Sequence, residues 1–199
     1  LAHASEEQFP KAGQPAAEDE AVDVEGHIEV IEPDAQKLRH LPERTQRSID
    51  LNPQVSYLAE RYCGNSSLFF IGRNIDYAVA LEASLKLKEI SYIHSEAYAA
   101  GELKHGTIAL IDEGTPVVAL CCREDLLEKM INGIEEVKAR GAKVLAVALA
   151  GNRRILAAAD DAIFIPRIDP FFDAVAEIVP LQLLAYYVSC AKGLDVDKP

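Results

Sequence analysis

The feature of this 199-residue chain that most constrains its fold is an alternation, from residue 67 onward, of short apolar runs with longer helical patterns. Apolar and β-branched runs predict strands at 67–72, 115–122, 143–149 and 161–166. Helical patterns follow them at 76–93, 124–140, 152–158 and 171–193. Strands joined by crossover helices run parallel, and apolar runs without alternation indicate a sheet covered on both faces. The sequence therefore predicts an α/β fold, a three-layer α/β/α sandwich with a mainly parallel sheet of about five strands.

The first 34 residues differ in composition from the rest of the chain. They carry ten acidic residues against one base, Lys11, and no long apolar pattern. Such a segment cannot bury enough surface to offset its ordering entropy, so we expect residues 1–34 to be disordered or extended. The short alternation at 26–33 is compatible with an edge strand.

The boundaries of the remaining parts follow from composition and periodicity. Residues 35–62 carry short helical patterns interrupted by Pro42 and Pro53, which predict a helical connector. The α/β domain is expected at 63–194, and residues 195–199 begin a C-terminal tail.

Charge and hydropathy narrow the class of function. The formal net charge is −12, and an acidic surface repels phosphate backbones, so we expect no nucleic-acid partner. No apolar run reaches membrane-span length and the N-terminus lacks the features of a signal peptide, so we expect a cytoplasmic protein without a membrane partner. The four cysteines form no C-x-x-C pair and lie in or beside apolar runs, which predicts buried free thiols rather than a metal or redox site. They are Cys63, Cys121, Cys122 and Cys190.

A stripe of charge lies within the helix predicted at 76–93. At about 100° per residue, Glu82, Lys86 and Glu89 project in nearly one direction, flanked by Leu81 and Leu85. Because apolar residues fill most other directions, we expect this helix to be largely buried. Two interpretations remain open: a surface ladder of ion pairs worth little, or a carboxylate tuned as a base by desolvation and a neighbouring charge.

His105 is the second candidate for proton transfer. It stands between Lys104 and Gly106 at an expected helix end, where a turn of the chain exposes an imidazole. A purely structural histidine is the alternative. The H-x-E at 94–96 lacks the P-C-x-x-C of zinc deaminases, and G-x-G-x-x-G, P-loop and G-x-S-x-G motifs are all absent from the sequence. We therefore expect acid–base chemistry without a metal or a cofactor.

One long stretch carries a family resemblance. The run ALEASLKLKEISYIHSEAYAAGELKHGTIALID (80–112) closely resembles the second sugar isomerase (SIS) half of the glutamine:fructose-6-phosphate aminotransferases, the isomerising glucosamine-6-phosphate synthases. The likeness begins near LRHLPERTQRSIDLN and continues through LLEKMINGIEEVKARG and VPLQLLAYYVSCAKGLDVDKP. It covers about 160 residues.

The resemblance implies roles for the charged residues. Glu89 would move the proton between C1 and C2 of the sugar, Lys86 would hold developing negative charge, and His105 would assist ring opening, reaching into a neighbouring subunit. Glu82 would position Lys86. The implied partners are fructose 6-phosphate or glucosamine 6-phosphate and a second copy of the chain, as a homodimer.

Departures from the family pattern limit what the chain should do alone. No S-x-S-G-x-T phosphate cradle occurs, no N-terminal cysteine nucleophile is present, and the family's Schiff-base lysine would lie beyond Pro199. We therefore expect the isolated chain to be nearly inactive. The alternatives are a non-catalytic regulatory module that binds a sugar phosphate and a structural dimerisation remnant.

Overall fold

The computed structural model describes residues 24–170 and 172–198, with side chains from residue 37 onward. Residues Lys37–Pro199 form one compact unit, to which the following applies. Most of the acidic segment predicted at 1–34 lies outside the described residues. The predicted domain boundaries accordingly stay a prediction.

Six helices and five strands are present in the described part of the chain. The helices are α1 (Val24–Ile49), α2 (Asn52–Tyr62), α3 (Ile75–Ser91), α4 (Leu127–Lys138), α5 (Arg153–Ala158) and α6 (Asp173–Ala191). The strands are β1 (Ser67–Gly72), β2 (His94–Ala99), β3 (Pro116–Cys121), β4 (Lys143–Leu149) and β5 (Asp161–Ile165).

All five strands run parallel in one sheet of order β2-β1-β3-β4-β5. Helices α2, α3 and α6 cover one face, where Leu68, Phe70 and Val118 belong to the first hydrophobic core. Helices α4 and α5 cover the other face, where Phe69 and Ile71 point into the second core. Burial of both faces explains the continuous apolar runs. The predicted three-layer α/β/α sandwich is thus confirmed.

Strand β2 is the element that the hydropathy pattern did not reveal. Its sequence HSEAYA is largely polar because β2 is an edge strand that pairs only with β1. One neighbour and partial exposure remove the need for the apolar run that marks central strands.

Helix α1 differs in two respects from what the sequence predicts for this part of the chain. Residues 26–33 lie within helix α1, so the predicted edge strand there is wrong, and α1 continues through Pro42 instead of ending at it. A proline within a helix removes one backbone hydrogen bond without always ending the helix.

Helix α6 is long and apolar enough to cross a membrane by length and composition, although polar residues interrupt its apolar sequence. Its buried residues, among them Leu181, Leu184 and Val188, belong to the first core. The apolar composition of α6 is that of a core helix packed against its neighbours.

The cysteines follow the prediction only in part. All four thiols are free; Cys121 and Cys122 are buried, Cys63 is half-buried and Cys190 is exposed. The prediction of a buried thiol is therefore wrong for Cys190, which begins the exposed run 190–193 at the C-terminal end of α6.

Candidate active site

Helix α3 presents the predicted charged stripe and is anchored by its opposite side. Val79, Ala80, Ala83 and Leu87 are buried in the first core. The chain enters the helix at Asn74 and leaves it at Tyr92, and both have a positive φ, 56° and 55°. Non-glycine residues seldom adopt such backbone angles, so packing holds both ends of α3 in defined conformations.

The structure brings the three charged residues of the stripe together. The Lys86 Nζ lies 2.7 Å from Glu89 Oε2 and 3.8 Å from Glu82 Oε1. The hydrogen bond to Glu89 is the main cause that raises the pKa of Lys86 above its ordinary value. One ammonium is therefore held between two carboxylates, an arrangement that places a cation and a base side by side.

The expected burial of this stripe is wrong. The Lys86 side chain is 35% exposed, and Leu81 and Leu85 are 47% and 42% exposed. Only the inner face of α3 packs on the sheet. The outer face of the helix also carries apolar residues, Leu81 and Leu85, and these made the whole helix resemble a buried one in the sequence. Exposed ion pairs contribute little to stability, and Leu81 and Leu85 leave apolar side chains exposed beside these pairs.

His105 lies apart from the stripe on a 3-10 turn, Leu103–His105, that follows β2. The buried side chain of Leu103 anchors the turn, and the His105 imidazole, 74% exposed, has its Nδ1 2.7 Å from Glu102 Oε2. Among the described residues, His105 makes no hydrogen bond or ion pair with the stripe. Joint action of Glu89, Lys86 and His105 in one catalytic site therefore stays a prediction.

Buried hydroxyl groups fix α3 against its neighbours. The Ser95 hydroxyl on β2 donates to the Ser84 hydroxyl at 3.0 Å, and the Ser189 hydroxyl on α6 donates to the carbonyl of Ile90 at 2.7 Å. These contacts set the position of the stripe relative to the sheet edge, because buried polar groups of this kind are costly to leave unpaired.

A second polar site, missed in the sequence, lies at the carboxyl ends of the strands. Asp76 in the first turn of α3 and Asp173 and Glu177 in α6 are all buried. Burial is the main cause that raises the pKa of Asp76 to about 6 and that of Glu177 well above its ordinary value. Repulsion from Asp173 adds to the shift at Asp76, and repulsion from Asp76 adds to the shift at Glu177. In the sequence, these buried acids were indicated only by an acidic residue in the first turn of each of two apolar helices, Asp76 in α3 and Asp173 in α6.

Comparisons with known proteins agree with this geometry. The SIS domain family model matches residues 62–191. The isomerising glutamine–fructose-6-phosphate aminotransferase of Symbiobacterium thermophilum is 52% identical over 162 residues, 81% of this chain and 27% of that protein. The enzyme of the same name from Caldanaerobacter subterraneus is 52% identical over 163 residues, 82% of this chain and 27% of that protein.

A solved structure of an aminotransferase domain is also similar to this chain. The C-terminal domain of glucosamine-fructose-6-phosphate aminotransferase from Francisella tularensis superposes with a TM-score of 0.77 at 34% identity. The alignment covers 81% of this chain and 45% of that one.

These findings define the class of protein first: a parallel α/β domain of the sugar isomerase type, with a charged stripe on the helix that follows its first strand. The chain belongs to the SIS domain family. It spans 27% of the length of the two curated relatives just described.

Proposed function

We propose that this chain is the second isomerase domain of an isomerising glutamine–fructose-6-phosphate aminotransferase, a cytoplasmic enzyme that converts fructose 6-phosphate to glucosamine 6-phosphate. The observation that carries the proposal is the 2.7 Å contact of Lys86 with Glu89 on the exposed face of α3. It occurs in a chain 52% identical to enzymes of that name.

The proposed chemistry is proton transfer along the sugar. An enol-type intermediate needs a base, a cation near the oxygen that gains charge, and a group that moves a hydroxyl proton. Glu89 is the proposed base between C1 and C2, Lys86 the cation and His105 the group for ring opening. Glu82 holds Lys86 in position from the other side, at 3.8 Å.

We infer that the site is completed by a second SIS surface, in a homodimer. Glu82, Lys86 and Glu89 do not line the four clefts that contain Cys122, Lys37, Arg61 and Ile131. The stripe is bordered by exposed Leu81 and Leu85, and burial of such apolar area stabilises protein interfaces. A partner that covers this face would remove water from the ion pairs and strengthen them.

The test is turnover of the full-length enzyme that contains this domain. Glu89→Gln should lower kcat about 100-fold or more, because loss of a general base typically costs 10²–10⁴. Glu60→Gln, an exposed carboxylate on α2, is the matched control and should leave kcat unchanged. Full turnover by Glu89→Gln would exclude the catalytic assignment.

Calorimetry on the 199-residue chain distinguishes the regulatory alternative. A composite catalytic site predicts no measurable binding of fructose 6-phosphate to this chain alone. Binding that survives Glu89→Gln would instead favour a non-catalytic sugar-phosphate-binding module.

A further inference from the structure

The loop that follows β1 carries two costly features side by side. Arg73 is half-buried, and its buried Nε atom has no hydrogen-bond partner among the described residues. The next residue, Asn74, has the strained backbone angles φ 56° and ψ −126°. Costly features of this kind cluster at functional sites. The chemistry proposed for α3 gives neither residue a role.

The guanidinium of Arg73 lies against the loop that follows β2. A Cβ built on Gly101 would lie 2.9 Å from Arg73 Nη1 and 3.5 Å from both Cζ and Nη2. The two loops leave the sheet side by side, since Gly72 pairs with Ala99 and the Ala100 N–H donates to the Gly72 carbonyl at 2.9 Å. Arg73 therefore packs on the backbone just beyond the end of β2.

Space, and not backbone conformation, explains the glycine at position 101. Gly101 does not have the positive φ that favours glycine. A side chain there would instead collide with the Arg73 guanidinium, the far end of a flexible side chain. Gly101→Ala should therefore displace the guanidinium and leave the backbone nearly unchanged.

Gly101 leads directly into the 3-10 turn Leu103–His105. The Glu102 N–H donates to the Ala99 carbonyl at 2.8 Å, and the His105 N–H donates to the Glu102 carbonyl at 3.0 Å. These bonds join Gly101 and the turn into one short unit. A shift at Gly101 is therefore passed on to the imidazole.

Two further contacts hold this turn. Leu103 is buried in the second core, and the Lys104 Nζ lies 2.8 Å from Glu136 Oε1 on α4. Burial of Leu103 fixes the depth of the turn, whereas an ion pair whose lysine is 68% exposed adds little. The contact with Arg73 comes from another direction, from the loop that leads into α3.

We propose that Arg73 is a positioning residue for His105: its guanidinium packs on Gly101 and fixes the direction in which the turn presents the imidazole. The proposal rests on the role in ring opening proposed above for His105. Arg73 acts through the turn and does not touch the sugar. Its loss should misplace a proton-transfer group and slow the chemical step without weakening substrate binding.

Turnover of the full-length enzyme that contains this domain tests the role. Arg73→Ala and Gly101→Ala should each lower kcat about ten-fold and leave KM unchanged, because both break the same contact. The double variant should be no slower than either single variant, since two substitutions that break one contact are not additive. The controls are Arg153→Ala, an exposed arginine on α5, and Gly64→Ala, where a Cβ would contact nothing within 4 Å. Both should retain full kcat.

NMR of the 199-residue chain shows whether Arg73 acts through the turn. The ring-proton signals of His105 should shift in Arg73→Ala and in Gly101→Ala, and should stay in place in the two controls. A lower kcat without such a shift, or a raised KM in place of a lower kcat, would mean that Arg73 contacts the sugar directly. Either result would overturn the proposal.

His105→Asn in the full-length enzyme separates this proposal from the function on which it rests. If His105→Asn lowers kcat and Arg73→Ala does not, His105 keeps its proposed role and the positioning role of Arg73 is wrong. If His105→Asn retains full turnover, the role proposed for His105 fails, and the role of Arg73 in turnover fails with it.

Discussion

The ammonium of Lys192, just beyond the end of α6, lies 2.5 Å from the backbone carbonyl oxygen of Ser91, the last residue of α3. The last carbonyls of a helix have no partner within the helix and carry partial negative charge. Lys192 satisfies one of them, and Ser189 satisfies its neighbour at Ile90. The C-terminal end of α6 is therefore hydrogen-bonded to the C-terminal end of the helix that carries the charged stripe.

Replacement of this lysine should destabilise the domain. Lys192→Met removes a charged hydrogen bond at a helix C-terminus, and we expect a loss of about 0.5–1 kcal/mol in the free energy of unfolding. Chemical denaturation measures it. Lys129→Met, an exposed lysine on α4, is the control and should change stability little. Equal effects of the two substitutions would contradict the capping role.

Asp76 should make stability depend on pH. Burial raises its pKa in the folded protein from 3.8 to about 6, so the folded state favours the protonated form. Stability from this group is greatest below pH 3.8 and declines as the pH rises to about 6. Asp76→Asn removes that decline while keeping an oxygen that accepts from the Cys122 and Arg123 amides.

The free energy of unfolding of Asp76→Asn, relative to wild type, should therefore increase by about 1–3 kcal/mol between pH 4 and pH 7. Urea denaturation at both pH values measures this difference. For Glu60→Gln, an exposed carboxylate, the difference should stay constant. A constant difference for Asp76→Asn as well would show that its carboxyl group is not buried as the structure has it.

Gly72 should tolerate no side chain. A Cβ at this position would lie 2.6 Å from the carbonyl oxygen of Asp76 and 2.8 Å from the Tyr77 nitrogen, so β1 and α3 would have to separate. We expect Gly72→Ala to cost about 2 kcal/mol or more in thermal or chemical unfolding. A Cβ at Gly64 would contact nothing within 4 Å, so Gly64→Ala is the matched control. A Gly72→Ala protein as stable as that control would disprove the close approach.

The folded protein should be less stable with asparagine at position 74 than with glycine there. The φ of 56° and ψ of −126° at Asn74 are allowed mainly for glycine. Relief of this strain outweighs the entropy that glycine adds to the unfolded chain, so Asn74→Gly should stabilise the fold by about 0.5–1 kcal/mol. Asn74→Ala should destabilise it, because alanine adopts a positive φ less readily than asparagine. Any other order of melting temperatures would argue against this backbone conformation.

The outer face of α3 should control self-association. Leu81→Glu places a charge in the exposed apolar surface beside the stripe and should weaken the proposed homodimer about ten-fold or more, as seen by sedimentation. Leu156→Glu changes a leucine on α5 that is 61% exposed, against 47% for Leu81, at the opposite face of the sheet, and should have no effect. A dimer that responds to Leu156 and not to Leu81 would place the interface elsewhere.

The sequence was most informative where both faces of a strand are buried. The run KVLAVAL predicts β4 with its observed limits, and SLFFIG predicts β1, because a buried strand must be apolar throughout. Periodicity also placed Glu82, Lys86 and Glu89 on one side of α3. The polar edge strand β2 escaped the same reasoning, since its residues need cover on one side only.

By itself, the amino-acid sequence determined the parallel α/β fold, the family and the residues of the charged stripe, because these depend on local patterns and on likeness to relatives. Only the tertiary structure decided that the stripe faces outward, that His105 is exposed on a 3-10 turn beside Glu102, and that Asp76, Asp173 and Glu177 are buried. Burial and proximity between distant segments depend on which faces the folded chain packs together, and helical periodicity is the same whether an apolar face is covered by the sheet or left for a partner.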